Sequence, residues 1–133
     1  TTDLCTSPLA QAIAAEYLAS NRYADAVARA CAEYALRMRT LVDRLHTELP
    51  GMLRFTEPQG GMFLWAESTA PLDAKALFQA AVDQGVRYGP GAAFYPVAPN
   101  PNAMRLSFAA PGVDDIREGV SRLGRAFRSL AKA

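Results

Sequence analysis

Two cysteines, one histidine and two lysines are few for a chain of 133 residues, and each scarcity removes a class of chemistry. Cys5 and Cys31 supply neither a zinc-ligand cluster nor the disulfide framework that small secreted domains depend on, so a reduced, cytoplasmic setting is expected. His46 has no second histidine or neighbouring cysteine with which to share a metal, and its place one residue past the apolar Leu45 reads as an exposed helix side chain. Excess charge is also missing. Lys and Arg total 14 against 13 Asp and Glu, a net charge of +1, so neither nucleic acid nor an anionic membrane is an expected partner. No apolar run approaches the roughly 20 residues that cross a bilayer. Ser68, Ser107, Ser121 and Ser129 lie outside any Gly-x-Ser-x-Gly elbow, and Gly60-Gly61 and Gly89-Pro90-Gly91 have neither the spacing nor the lysine of a phosphate-binding loop.

What the chain does have is apolar content: half of its residues are hydrophobic, enough for one domain with a core and too little length for a two-domain enzyme. Its opening Thr1-Thr2-Asp3 is compatible with a piece of a longer protein. Ser7-Pro8 is a helix start, with a capping hydroxyl followed by a residue whose missing N–H costs nothing in the first turn. A short, Ala-rich helix over Pro8–Ala19 follows, and its weak apolar face calls for other protein to cover it. Val27, Cys31, Tyr34, Met38, Leu41, Leu45 and Leu49 then recur at spacings of four and three, one stripe of a long helix over Tyr23–Leu49 that Pro50-Gly51 ends.

The period changes in the middle. Met52–Phe55 and Met62–Ala66 are short apolar runs separated by Pro58 and Gly60-Gly61, which predicts an antiparallel strand pair. Asp73 can cap a helix carrying Ala74, Leu77, Phe78, Ala81 and Val82 on one face, and Gly85 can close it. Val86-Arg87-Tyr88 reads as a third strand, Gly89–Asn102 with its four prolines as a long loop, and Met104–Phe108 as the last strand. Val113, Ile116, Val120, Leu123, Phe127 and Leu130 mark a closing helix, whose Arg122, Arg125, Arg128 and Lys132 read as a solvated face complementing the helix dipole. The expected class is α+β: a small mixed or antiparallel sheet of about four strands with helices packed on it, preceded by a long N-terminal helix.

One charged residue stands apart. Arg105 lies between Met104 and Leu106 in an apolar strand, where alternation sends its side chain to the opposite face from both neighbours. Its planar fork of donors suits a carboxylate, although taken alone the pattern fits a structural or surface arginine as well. The surrounding blocks add to this. Pro58-Gln59-Gly60-Gly61-Met62-Phe63-Leu64-Trp65, then Pro90-Gly91-Ala92-Ala93-Phe94, then Met104-Arg105-Leu106-Ser107-Phe108 resemble, in order and spacing, the C-terminal small domain of class I/II pyridoxal-phosphate aminotransferases of fold type I. Ile116-Arg117-Glu118-Gly119-Val120 is similar to that family's closing helix, and the resemblance extends over about residues 23 to 130. The Gly-Gly-Met-Phe-Leu-Trp strand is closest to the branch acting on aromatic, branched or 2-aminoadipate-like substrates.

The resemblance implies that Arg105 grips the α-carboxylate of an amino-acid substrate, with Gly61 and Phe94 beside it in substrate binding. It implies amino-group transfer between an amino acid and a 2-oxo acid, a homodimeric parent, and a cofactor held as a Schiff base by a lysine of a large domain absent from this chain. Lys75 and Lys132 lie on helices away from the matching blocks, so no catalytic, cofactor-binding or metal-binding residue is expected here and the chain alone is expected to be inactive. Residues 1–22 are then a short helix and linker left from the large-domain connection, and residues 23–133 the small domain. Two alternatives remain open. One is the aminotransferase-like effector domain of a winged-helix transcriptional regulator; the other is a stand-alone small-molecule-binding module.

Overall fold

The computed structural model describes residues 7–20 and 22–131, so Cys5 and Lys132 lie outside the described residues. Their order is α1 (Pro8–Ala19), α2 (Arg22–Glu48), β1 (Leu53–Phe55), β2 (Phe63–Ser68), α3 (Ala74–Asp83), β3 (Gly89–Pro90), a 3₁₀ turn over Gly91–Phe94, β4 (Ala103–Ser107) and α4 (Val113–Leu130). The chain divides into two compact units, one up to Glu33 and one from Tyr34 onward. In the first, the Ala10 N–H donates to the Ser7 hydroxyl and Pro8 opens α1, as the capping sequence predicts. No residue of α1 is buried, and Leu9, Ile13 and Leu18 are all exposed.

The second unit carries the sheet. Its strands run antiparallel in the order β1-β2-β4-β3, with helices supplying the rest of the core. Leu64 and Ala66 of β2 face Leu106 and Met104 of β4 in register, and all four are buried together with Leu41, Leu45, Leu77, Val120, Leu123 and Phe127 from α2, α3 and α4. The period-2 alternation therefore gives the sheet one helix-covered face and one open face, the latter bearing Phe63, Trp65 and Arg105. Asp73 caps α3 through the Ala76 N–H, and Gly85 ends it with φ +77°. Pro50-Gly51 ends α2, with Gly51 at φ +71°.

The third strand departs from expectation. Val86–Tyr88 is not a strand; the Val86 N–H is spent closing α3 on the Ala81 carbonyl, and Tyr88 turns into the core, edge-on to Phe78 at 5.3 Å between ring centroids. Pairing with β4 starts only at Gly89, opposite Arg105, and ends at Pro90, which has no N–H to extend the ladder. The arginines of α4 also do more than complement a dipole. Arg122 and Arg125 both pair with Glu118, whose carboxyl they hold below its ordinary range, and Arg128 donates to the Glu48 carbonyl at the end of α2.

Burial pushes the Tyr88 hydroxyl from its ordinary value of 10.0 up to about 12. The folded chain thus holds this proton more tightly than the unfolded chain, so the contribution is full below pH 10 and lost as pH rises toward 12. Tyr88→Phe is expected to reduce the loss of stability in that window, read from urea midpoints at about pH 9 and about pH 11.5. An unchanged difference between the two midpoints would show that Tyr88 titrates elsewhere.

Candidate functional site

On the open face, β4 places Arg105 directly between Trp65 of β2 and Gly89 of β3. Gly89 has no side chain to fill its side of that row; a Cβ there would lie 3.5 Å from the Arg105 Cβ and 3.6 Å from its Nε. The guanidinium carbon sits 4.2 Å from the ring centroid of Phe63 and 4.3 Å from that of Phe94. Trp65 in turn meets Phe94 edge-to-face at 5.8 Å and Tyr95 at 6.0 Å. Phe63, Trp65 and Phe94 remain 41, 37 and 47% exposed, a cluster of large rings that water would not favour leaving bare.

Arg105 is half-buried, yet among the described residues no carboxylate pairs with it. Several arginines of the same unit do pair with carboxylates, Arg44 with Glu48, Arg117 with Asp114, and Arg122 and Arg125 with Glu118, while Arg39 and Arg87, which show no such pair, are exposed where Arg105 is not. On the same open face Glu67 stands two residues along β2 from Trp65, but its carboxylate is committed to Arg54 across the β1–β2 ladder. A guanidinium in an aromatic surround without an internal anion has its donors unspent, and its donor fork suits a carboxylate.

Of the three residues singled out from the sequence, the fold brings Arg105 and Phe94 together. Gly61 enters at one remove, adopting φ +83° in the turn that leads to β2, two residues before Phe63. Phe63, Trp65 and Tyr95 complete the site and were not singled out. Alternation through Met62–Ala66 already put Phe63 and Trp65 on one face; their position relative to Arg105 needed the strand register. His46 is exposed and 3.9 Å from Glu57, and no group of acidic, cysteine and histidine side chains among the described residues is arranged to hold a metal.

The model of the family described as aminotransferase class I and II matches residues 2–123. The chain belongs to that family. It is 35% identical over 128 residues to the 2-aminoadipate transaminase of Thermus thermophilus, covering 96% of this chain and 32% of that protein. The crystal structure of Pyrococcus horikoshii kynurenine aminotransferase, solved with PMP, superposes with a TM-score of 0.90 at 32% identity, over 98% of this chain and 32% of that one. The HTH-type transcriptional regulator YdfD of Bacillus subtilis is 28% identical over 130 residues, 98% of this chain and 27% of that protein. The chain thus spans about a third of the length of these relatives or less.

Family membership raises the question of pyridoxal phosphate, for whose Schiff base the described residues offer no lysine on the open face. Lys75 is exposed on α3, and α3 covers the face of the sheet opposite Arg105. No described lysine therefore reaches the open face, and no step of a reaction through the cofactor follows from this chain. What these residues can do is bind an anion, orient it and shield it from water.

Proposed function

We propose that this chain is the C-terminal small domain of a longer pyridoxal-phosphate aminotransferase, in which it supplies the arginine that holds the substrate α-carboxylate. The observation that carries the reading is Arg105 on the open face of the sheet, flanked by Phe63 and Phe94 and left without an internal carboxylate. In that role residues 23–133 form one wall of the site and residues 1–22 the connection to the large domain. The large domain holds the cofactor. The substrates are an amino acid and a 2-oxo acid; the T. thermophilus relative is named for 2-aminoadipate and the P. horikoshii one for kynurenine, which supports a large side chain. The parent acts as a homodimer in the cytoplasm.

Closure of this domain on the substrate would bring Arg105 to the carboxylate and expel water around it. Both effects favour reaction: the ion pair strengthens as water leaves, and the substrate is held in one orientation. A second reading draws on the match to YdfD. There the same arginine would recognise an amino-acid effector for a transcriptional regulator, with DNA contacts made by a preceding domain.

The test is an absorbance spectrum, after unbound pyridoxal phosphate is removed, of this 133-residue chain and of its longer parent. The expected result is a bound-cofactor band in the parent alone, shifting when amino acids are added, together with amino transfer to 2-oxo acids. A stoichiometric band in the short chain would assign the cofactor to Lys75 or Lys132 and overturn the division of labour. Cofactor binding with no amino transfer, joined to specific DNA binding by the parent, would favour the regulator; no band in either protein would favour a stand-alone binding module.

A further inference from the structure

The geometry points to Phe63 and Phe94 as positioning residues, a pair of aromatic walls that hold the Arg105 guanidinium in one pose for an incoming carboxylate. This rests on the reading of Arg105 as the carboxylate site. An arginine side chain on an open sheet face loses rotamer freedom before it can make two parallel hydrogen bonds. Here part of that ordering precedes binding. Because β4 lies between β2 and β3, Phe63 approaches Arg105 from one side of the strand and Phe94 from the segment that follows the other, at 4.2 and 4.3 Å. Both distances are well inside the range of cation–π attraction, which extends to about 6 Å.

The walls are themselves held. Trp65 packs against Phe94 at an interplanar angle of 84°, and Phe94 ends the 3₁₀ turn that begins at Gly91, which is pressed against β4. Phe63 is fixed by its place in the β2–β4 ladder opposite Ser107. A ring on either side also displaces water from the cation without offering it a hydrogen-bond acceptor, so the in-plane donors stay available to an anion. Aromatic flanking therefore performs two tasks that an internal carboxylate could not perform together: it fixes the guanidinium and leaves its donors unspent.

The experiment uses the full-length parent, with hexanoate as a competitive carboxylate probe and norleucine as an amino donor bearing a single carboxylate. Phe63→Leu and Phe94→Leu are each expected to raise the inhibition constant of hexanoate and the KM of norleucine together by about threefold to fivefold, with kcat within about twofold. Phe63→Tyr and Phe94→Tyr, which keep the rings, should restore both constants. In an Arg105→Ala background the Leu substitutions should have no further effect, because their action passes through the arginine. If Arg105→Ala weakens hexanoate but the Leu variants, folded by their melting curves, do not, the walls have no positioning role and the carboxylate reading stands. Equal losses with and without Arg105 would reduce the rings to general packing. If Arg105→Ala changes neither constant, the carboxylate reading fails and this inference with it.

Discussion

Arg105→Ala in the full-length parent is expected to raise the KM for amino acids about a hundredfold or more while pyridoxal phosphate remains bound. The size follows from what the side chain offers. Hydrogen bonds to a charged partner contribute about 1.5–3 kcal/mol each, and a hundredfold corresponds to about 2.7 kcal/mol, less than two such bonds would supply in full. A partial effect is the appropriate estimate because Arg105 is only half-buried and water competes for its donors. The loss should not be repaired from within the protein: no cation on β2 or β3 replaces the lost charge in the row Trp65-Arg105-Gly89. Arg105→Lys keeps the charge and loses the fork, so a loss of about tenfold is expected. Titrating amino acids against cofactor absorbance measures affinity directly, and hexylamine, which has no carboxylate, should bind both forms equally. Unchanged constants for every carboxylate substrate would remove Arg105 from this role.

Much of this arrangement was legible in the sequence because its signals are local. Ser7-Pro8, Asp73 and Gly85 mark helix ends through hydrogen bonds and backbone angles that depend on one or two residues, and the structure realises each of them. Alternation likewise gave the faces of β4, hence the separation of Arg105 from Met104 and Leu106. Val86-Arg87-Tyr88 misled because its composition suits a strand, whereas the fold uses the Val86 N–H to close α3 and the Tyr88 ring to fill the core. That competition depends on tertiary position, which composition does not report. The aromatic surround was hidden for a related reason. Phe63 and Phe94 are 31 positions apart in the chain, and they converge on Arg105 only through the β2–β4 register and the packing of the 3₁₀ turn on β4.

Gly91→Ala, at the start of the 3₁₀ turn that packs on β4, is expected to lower stability by about 3 kcal/mol and to dislodge Phe94 from Arg105. A Cβ at Gly91 would lie 2.4 Å from the Ala103 Cβ and 2.6 Å from both its carbonyl carbon and its carbonyl oxygen. Ala103 is 2% exposed and belongs to β4, so the obstruction is strand backbone with no free volume behind it. The strain must be relieved by moving the 3₁₀ turn away from β4, and the two-residue β3, paired only at Gly89 and Pro90, is the weakest place to give. Ala103→Gly should fail to rescue the variant, since it removes the Cβ–Cβ overlap and leaves both backbone contacts. Other glycines calibrate the effect. Gly60→Ala, with nothing within 4 Å and an ordinary backbone, should be nearly neutral, whereas Gly61→Ala should cost about 1 kcal/mol through its φ of +83° alone. Urea unfolding gives the stability series, and the Trp65 fluorescence of the folded variants reports the ring cluster, because Trp65 touches both Phe94 and Tyr95. A Gly91→Ala protein with native stability and native Trp65 emission would mean that the close approach to Ala103 does not hold the loop in place. Loss of both signals, with Gly60→Ala unchanged, would tie the position of Phe94, and through it the pose of Arg105, to the absence of one side chain at Gly91.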